Sequence, residues 1–209
     1  MIRLFAILLL ASSLMVSVAS AGPAEAVLGK PFAHDGLFAN AAAGLGYASF
    51  ENADGREFLT ANGFGARLYG KLGYYVIQDL ALHANIGYVM FSNFSEERNN
   101  LPTYVDHDFY VLSSVYLGVG ATYYVPIWEN VFFSGSIGFI AYDLDCHKYA
   151  GNTGLNAFSF DVEAGKDWWM NEYFALGVSV AFSSGEFWSE NDGVFRSSSI
   201  MLMFSVKLN

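Results

Sequence analysis

The sequence has little charge. Asp, Glu, Lys and Arg make up 14% of its 209 residues, against about a quarter in an ordinary soluble domain, so its 54% of hydrophobic residues has displaced charged surface. Cations are the scarcer sign: ten Lys and Arg against twenty Asp and Glu, a formal net charge of −10. A nucleic-acid partner needs clustered cations to neutralise phosphates, so none is expected. The single cysteine, Cys146, excludes an internal disulfide, and no Cys/His run has zinc-site spacing. No metal and no organic cofactor is expected.

Long apolar runs are also missing beyond the amino end. Met1-Ile2-Arg3, the mostly apolar stretch from Leu4 to Val18, and the small residues Ala19-Ser20-Ala21 have the form of a secretory signal, with cleavage expected after Ala21. That removes Arg3 and leaves nine cations against twenty anions. Residues 22–36 contain Pro23, Gly29 and Pro31 without alternation, and are expected to form a periplasmic tail. From residue 37 to 209 no apolar stretch reaches the ~18 to 20 residues of a membrane helix. An exported, very apolar chain without such a helix leaves the closed β-barrel as the other fold that satisfies every backbone group in lipid.

What is present is a period of two. From Gly63 to Val76 the residues Phe64, Ala66, Leu68, Leu72, Tyr74 and Val76 alternate with Gly65, Arg67, Tyr69, Lys71, Gly73 and Tyr75, which predicts a strand with one apolar face. A helix would scatter Arg67 and Lys71 among the apolar residues. Leu80 to Met90 repeats the pattern after only Ile77-Gln78-Asp79, a tight hairpin. The same alternation predicts strands over about 37–50, 109–125, 131–144, 157–168, 173–183 and 197–209, eight in all. Each meets the ~9 to 11 residues that an oblique strand needs to cross a bilayer.

The connections alternate too. Those at 77–79, about 126–130 and about 169–172 are short; those at about 51–62, 92–106, 145–156 and 184–196 are long and polar. Short periplasmic turns and long extracellular loops are the outer-membrane pattern. The pairs Tyr74-Tyr75, Tyr123-Tyr124 and Trp168-Trp169 precede the three short turns, and are expected to form the periplasmic aromatic girdle.

The signal, the eight alternating strands and the aromatic-flanked short turns together resemble the small bacterial outer-membrane barrels of the OmpA-transmembrane, OmpX and OmpW-like superfamily. The resemblance implies an eight-stranded antiparallel up-and-down transmembrane β-barrel in the outer membrane, with lipid, lipopolysaccharide and the barrel-insertion machinery as its partners. Chains of this kind usually end in an aromatic residue; this one ends Val206-Lys207-Leu208-Asn209.

The inward-facing parity carries Arg67, Lys71, His83, Asn85, Asp161, Glu163 and Lys207. Side chains fill an eight-stranded barrel. With the second and sixth strands opposite each other, Arg67 or Lys71 can reach Asp161 or Glu163. These residues form an ion-pair plug, or a gate for a narrow path if the pairs break; His83 is a hydrogen-bonding neighbour or a titrating one. Two barrels of this shape are lipid A enzymes, a palmitoyltransferase and a deacylase, and His107, Asp108, His147 and Ser184 near the outer rim are the residues from which acyl-transfer chemistry would have to be assembled. The His and Ser two apart that the deacylase uses is absent, since Phe109 and Tyr149 stand at those positions. A structural or surface-interaction barrel without enzymatic activity is the expectation, with a narrow pore for small or apolar solutes as the alternative.

Overall fold

Every strand is one half of an antiparallel hairpin, and the last pairs with the first. The computed structural model describes residues 30, 32–52, 59–98, 111–145, 155–189 and 193–208. It contains β1 (Leu37–Asn52), β2 (Leu59–Ile77), β3 (Leu80–Arg98), β4 (Val111–Tyr124), β5 (Val131–Asp145), β6 (Leu155–Trp169), β7 (Phe174–Ser189) and β8 (Gly193–Leu208). These run in sequence order around a closed barrel, sealed by β1 and β8 from Ala39↔Leu208 to Asn52↔Phe195. Closure leaves no strand edge with unpaired backbone groups.

Alternation decides which side chain goes where. Leu45, Phe64, Leu72, Ile86, Leu117, Phe139, Phe158, Val180 and Phe204 all point outwards and are exposed. Arg67, Lys71, His83, Asp161, Glu163 and Lys207 point inwards and are buried. The molecule thus has an apolar outside and a polar centre, the inverse of a water-soluble domain. Ala39 faces outwards as its parity demands, yet it is covered by Leu208, Leu37 and Tyr173.

The three short turns have the compact geometry their length requires. Gln78 and Asp79 close the β2–β3 hairpin with Asp79 in the left-handed region at φ 65°. Asn130, at φ 60°, closes the β4–β5 turn. In the β6–β7 turn the Asn171 carboxamide oxygen accepts the backbone N–H groups of Tyr173 at 3.0 Å and Phe174 at 2.9 Å. Asn and Asp suit these places because they tolerate positive φ and bond their own backbone.

At the other end the hairpins run further than expected. The connection expected over about 184–196 is almost wholly paired strand, with Ser189 opposite Gly193, and β2 and β3 pair as far as Leu59 and Arg98. Polar side chains made these residues look like loop. Backbone pairing does not depend on side-chain polarity, so a hairpin standing above an apolar belt can continue as strand. The expected signal segment, and residues 53–58, 99–110, 146–154 and 190–192 of the long connections, lie outside the described residues.

Candidate functional site

The interior is the most built part of the molecule. Because β2 and β6 are four strands apart in a ring of eight, their inward side chains meet across the axis. Arg67 Nη1 lies 2.6 Å from Asp161 Oδ2, and Lys71 Nζ lies 2.6 Å from Glu163 Oε2. The structure therefore brings together the four charges that parity placed in the lumen, in two specific pairs. A third pair lies nearer the short turns, where Lys207 Nζ is 2.8 Å from Asp167 Oδ2. All three acids come from one face of β6, and the cations come from β2 and β8.

Two of the pairs have further hydrogen-bond partners, which is what buried charge requires. Lys71 also donates to Ser134 Oγ at 2.8 Å, Thr122 Oγ1 donates to Ser134 at 2.9 Å, and His83 Nε2 lies 2.9 Å from Thr122 Oγ1. Across the lumen Ser179 donates to Glu163 Oε1 at 2.5 Å. These contacts form one chain of hydrogen bonds from β3 to β7. His83 sits at its end, with Asn85 as its other partner, and is a hydrogen-bonding member of the network. Tyr124 donates to Asp167 Oδ2 at 2.6 Å, and the Lys207 ammonium stands 3.2 Å from the centroid of the Phe132 ring. At the top rung Arg67 lies 4.2 Å from the centroid of Tyr69; above and around it Phe91, Tyr116, Met201 and Met203 form the apolar cluster of the upper lumen.

Gly165 shows how the middle of β6 makes room. It occupies the inward position between Glu163 and Asp167, where a Cβ would run into the Phe132 ring at 2.8 Å and the side chain of Ser179 at 2.5 Å. The missing side chain is the space that Phe132 fills.

Only half of the expected aromatic girdle faces outwards. Tyr74, Tyr123 and Trp168 are exposed on the wall, but Tyr75 and Tyr124 are buried inside the barrel and Trp169 is half-buried at its mouth. Neighbouring residues of a strand point to opposite faces, so a Tyr pair cannot place both rings on one side. The inward members do different work. With Phe38, Ala81 and Phe132, Tyr75 and Tyr124 form a second apolar cluster at the short-turn end.

Parity could have found Asp167, which is odd-numbered like Asp161 and Glu163, but the apolar Trp168-Trp169 that follows it reads as a strand end. The inner mouth carries no periodic signal at all. There the described part of the expected tail, Lys30 and residues 32–36, folds into the barrel opening: His34 is buried, stacked on Tyr124 with ring centroids 3.6 Å apart and on Trp169 at 5.4 Å. Its Nδ1 lies 3.1 Å from Asp79 Oδ1. Of the outer-rim residues weighed for acyl transfer, His107, Asp108 and His147 lie outside the described residues, while Ser184 is on β7 with its carbonyl accepting the Ser159 hydroxyl at 3.0 Å.

A closed ring of eight antiparallel strands, with an apolar wall and a lumen filled by paired charge, defines a small membrane-type β-barrel. No protein-family model and no curated sequence matches the chain, but solved structures do. The Neisserial surface protein A is similar over 82% of this chain and 96% of its own, at 17% identity and a TM-score of 0.51. The attachment invasion locus protein Ail of Yersinia pestis matches over 82% of this chain and 99% of its own, at 14% identity and a TM-score of 0.42. The outer membrane protease OmpT of Escherichia coli matches over 85% and 97%, at 9% identity and a TM-score of 0.39. At these identities the likeness is one of fold.

Proposed function

We propose that the chain is an integral outer-membrane barrel that works with a closed lumen, as a structural or surface-interaction protein of a Gram-negative envelope and not as an enzyme. The observation that carries this is the three buried ion pairs: Arg67–Asp161 and Lys71–Glu163, which cross the interior, and Lys207–Asp167 at a further level. Separating a buried pair leaves both charges uncompensated in the interior, so thermal opening of two or three in concert is rare. The apolar wall supports lipid as the surrounding medium, and the likeness in fold to a Neisserial surface protein supports an outer-membrane address. The short turns then face the periplasm. Outer-membrane lipid, lipopolysaccharide and the barrel-insertion machinery are its partners, and the amino-terminal segment its cleaved export signal.

A narrow solute path is the second function, and one observation favours it. Both polar atoms of the Asn40 side chain, Arg67 Nε, Asn85 Nδ2, Asp167 Oδ1 and Ser205 Oγ are buried without a hydrogen-bond partner among the described residues. Such groups are usually satisfied by ordered water, and they are spread over several levels of the interior, as the lining of a narrow polar path would be. Planar-bilayer recordings separate the two. The closed-lumen function predicts a silent wild type; discrete conductance steps in the wild type would overturn it in favour of the pore. Steps confined to the Asp161→Asn, Glu163→Gln variant would identify the ion pairs as a gate. Expression that alters the mass of lipid A would overturn the non-enzymatic assignment.

A further inference from the structure

The barrel is stopped at its short-turn end by its own chain. Gly36, at φ 77°, takes a left-handed turn that few other residues adopt, and Phe32 takes another at φ 56°. Together they bring the segment before β1 back across the opening. It is held there by backbone hydrogen bonds to three elements: Phe32 N–H donates to Glu172 O at 2.9 Å, Asp79 N–H to His34 O at 3.0 Å, and Tyr75 N–H to Gly36 O at 2.9 Å. Phe32 also meets Trp169 edge-on, with centroids 5.9 Å apart.

His34 is the part of the segment that enters the lumen. Its ring faces Asp79 of the β2–β3 turn, Tyr75 of β2, Tyr124 of β4 and Trp169 of β6, and it also feels Asp167 of β6 and Lys207 of β8. On its own segment Asp35 accepts the Lys30 backbone N–H at 2.6 Å. Nε2 of His34 is buried without a partner among the described residues. An imidazolium in this place would carry a second N–H, at Nε2, buried without an acceptor among the described residues.

We propose that Lys30 and residues 32–36 belong to a detachable plug of the periplasmic mouth, pinned by the neutral His34 ring and released when that ring takes up a proton. This goes beyond the closed-lumen function, because the plug can leave while the ion pairs above it stay closed. Burial of the His34 imidazole lowers its proton affinity from the ordinary histidine value by more than Asp79 raises it. The released segment, with an ordinary histidine pKa of about 6.5, therefore binds more protons than the docked one. Docking is at full strength above that value. It weakens as pH falls through it, and the loss is complete below the lowered pKa of the docked ring.

The test is amide exchange by NMR on the full chain folded in phospholipid nanodiscs, corrected for intrinsic rates, at about pH 7.5 and about pH 5, which bracket the ordinary histidine range. The Phe32 and Asp79 amides should lose protection at the lower pH, while the amides of mid-barrel strands do not change. The loss should share its midpoint with the titration of the His34 ring signals. His34→Phe, which keeps an aromatic ring and removes the proton site, should show no pH-dependent change, and His34→Ala should be unprotected at both values. Unchanged wild-type protection at about pH 5, a midpoint separate from that of His34, or an equal pH-dependent loss in His34→Phe would each overturn the plug. Bilayer conductance of the wild type at neutral pH bears on the closed lumen alone, so the two failures are distinguishable.

Discussion

Residue Lys207 shows how much of the barrel depends on single inward charges. Its ammonium is fully buried against Asp167, Tyr124 and Phe132. Lys207→Met leaves the Asp167 carboxylate buried without its cation, and should lower the free energy of unfolding by about 3–5 kcal/mol. Pairing that change with Asp167→Leu should restore most of the loss, because apolar replacements of a whole buried pair are near neutral. Urea unfolding of the two variants in lipid vesicles checks both expectations. A single variant as stable as the wild type would mean that the pair contributes nothing. Legibility differs sharply between neighbours at this scale. Arg67, Lys71, Asp161 and Glu163 could be matched from parity and strand count. The partner of Lys207 was obscured: Asp167 has the right parity but sits beside two tryptophans that mark a strand end.

The strands can be judged by their two faces. On β4, Leu117 points outwards and is 58% exposed, while its neighbour Tyr116 is buried in the lumen. Leu117→Arg should therefore destabilise the folded barrel by about 2–4 kcal/mol in a bilayer if it lies at the midplane, and by much less in detergent solution where the head group finds water. Chemical unfolding in the two media gives the comparison; equal losses would place Leu117 away from the lipid. The alternation that makes this prediction was readable in the sequence for all eight strands. Their outer ends were not, because a hairpin in water can carry any polar residue, and Ser184, Glu186 and Arg196 belong to paired strands although they look like loop. Glu186 and Arg196 face each other there, 2.5 Å apart. The pair is exposed and adds little stability.

For the whole molecule, closure is the property that matters. A ring with no free edge and with every strand paired on both sides should resist sodium dodecyl sulfate until heated. The folded chain should run faster than the boiled one on semi-native electrophoresis, and identical mobilities would count against a closed barrel. Strand number, antiparallel order and the polar centre followed from parity and connection length. The inner mouth did not, since the segment before β1 has no period and the place of residues 32–36 depends on a left-handed Gly36 and on rings contributed by β2, β4 and β6.

The supply of all three lumen acids by β6 has a consequence for how the ring is assembled. A slip of one residue in strand pairing turns a strand inside out and is penalised by the whole apolar wall. A slip of two keeps every apolar side chain outside and escapes that penalty. It would, however, carry Asp161, Glu163 and Asp167 up or down by two positions together, past Arg67, Lys71 and Lys207. The charges thus act as the teeth of a key: they distinguish the native alignment of β6 from those that greasiness alone accepts, and for the two pairs to β2 they can do so only once the far wall is in place.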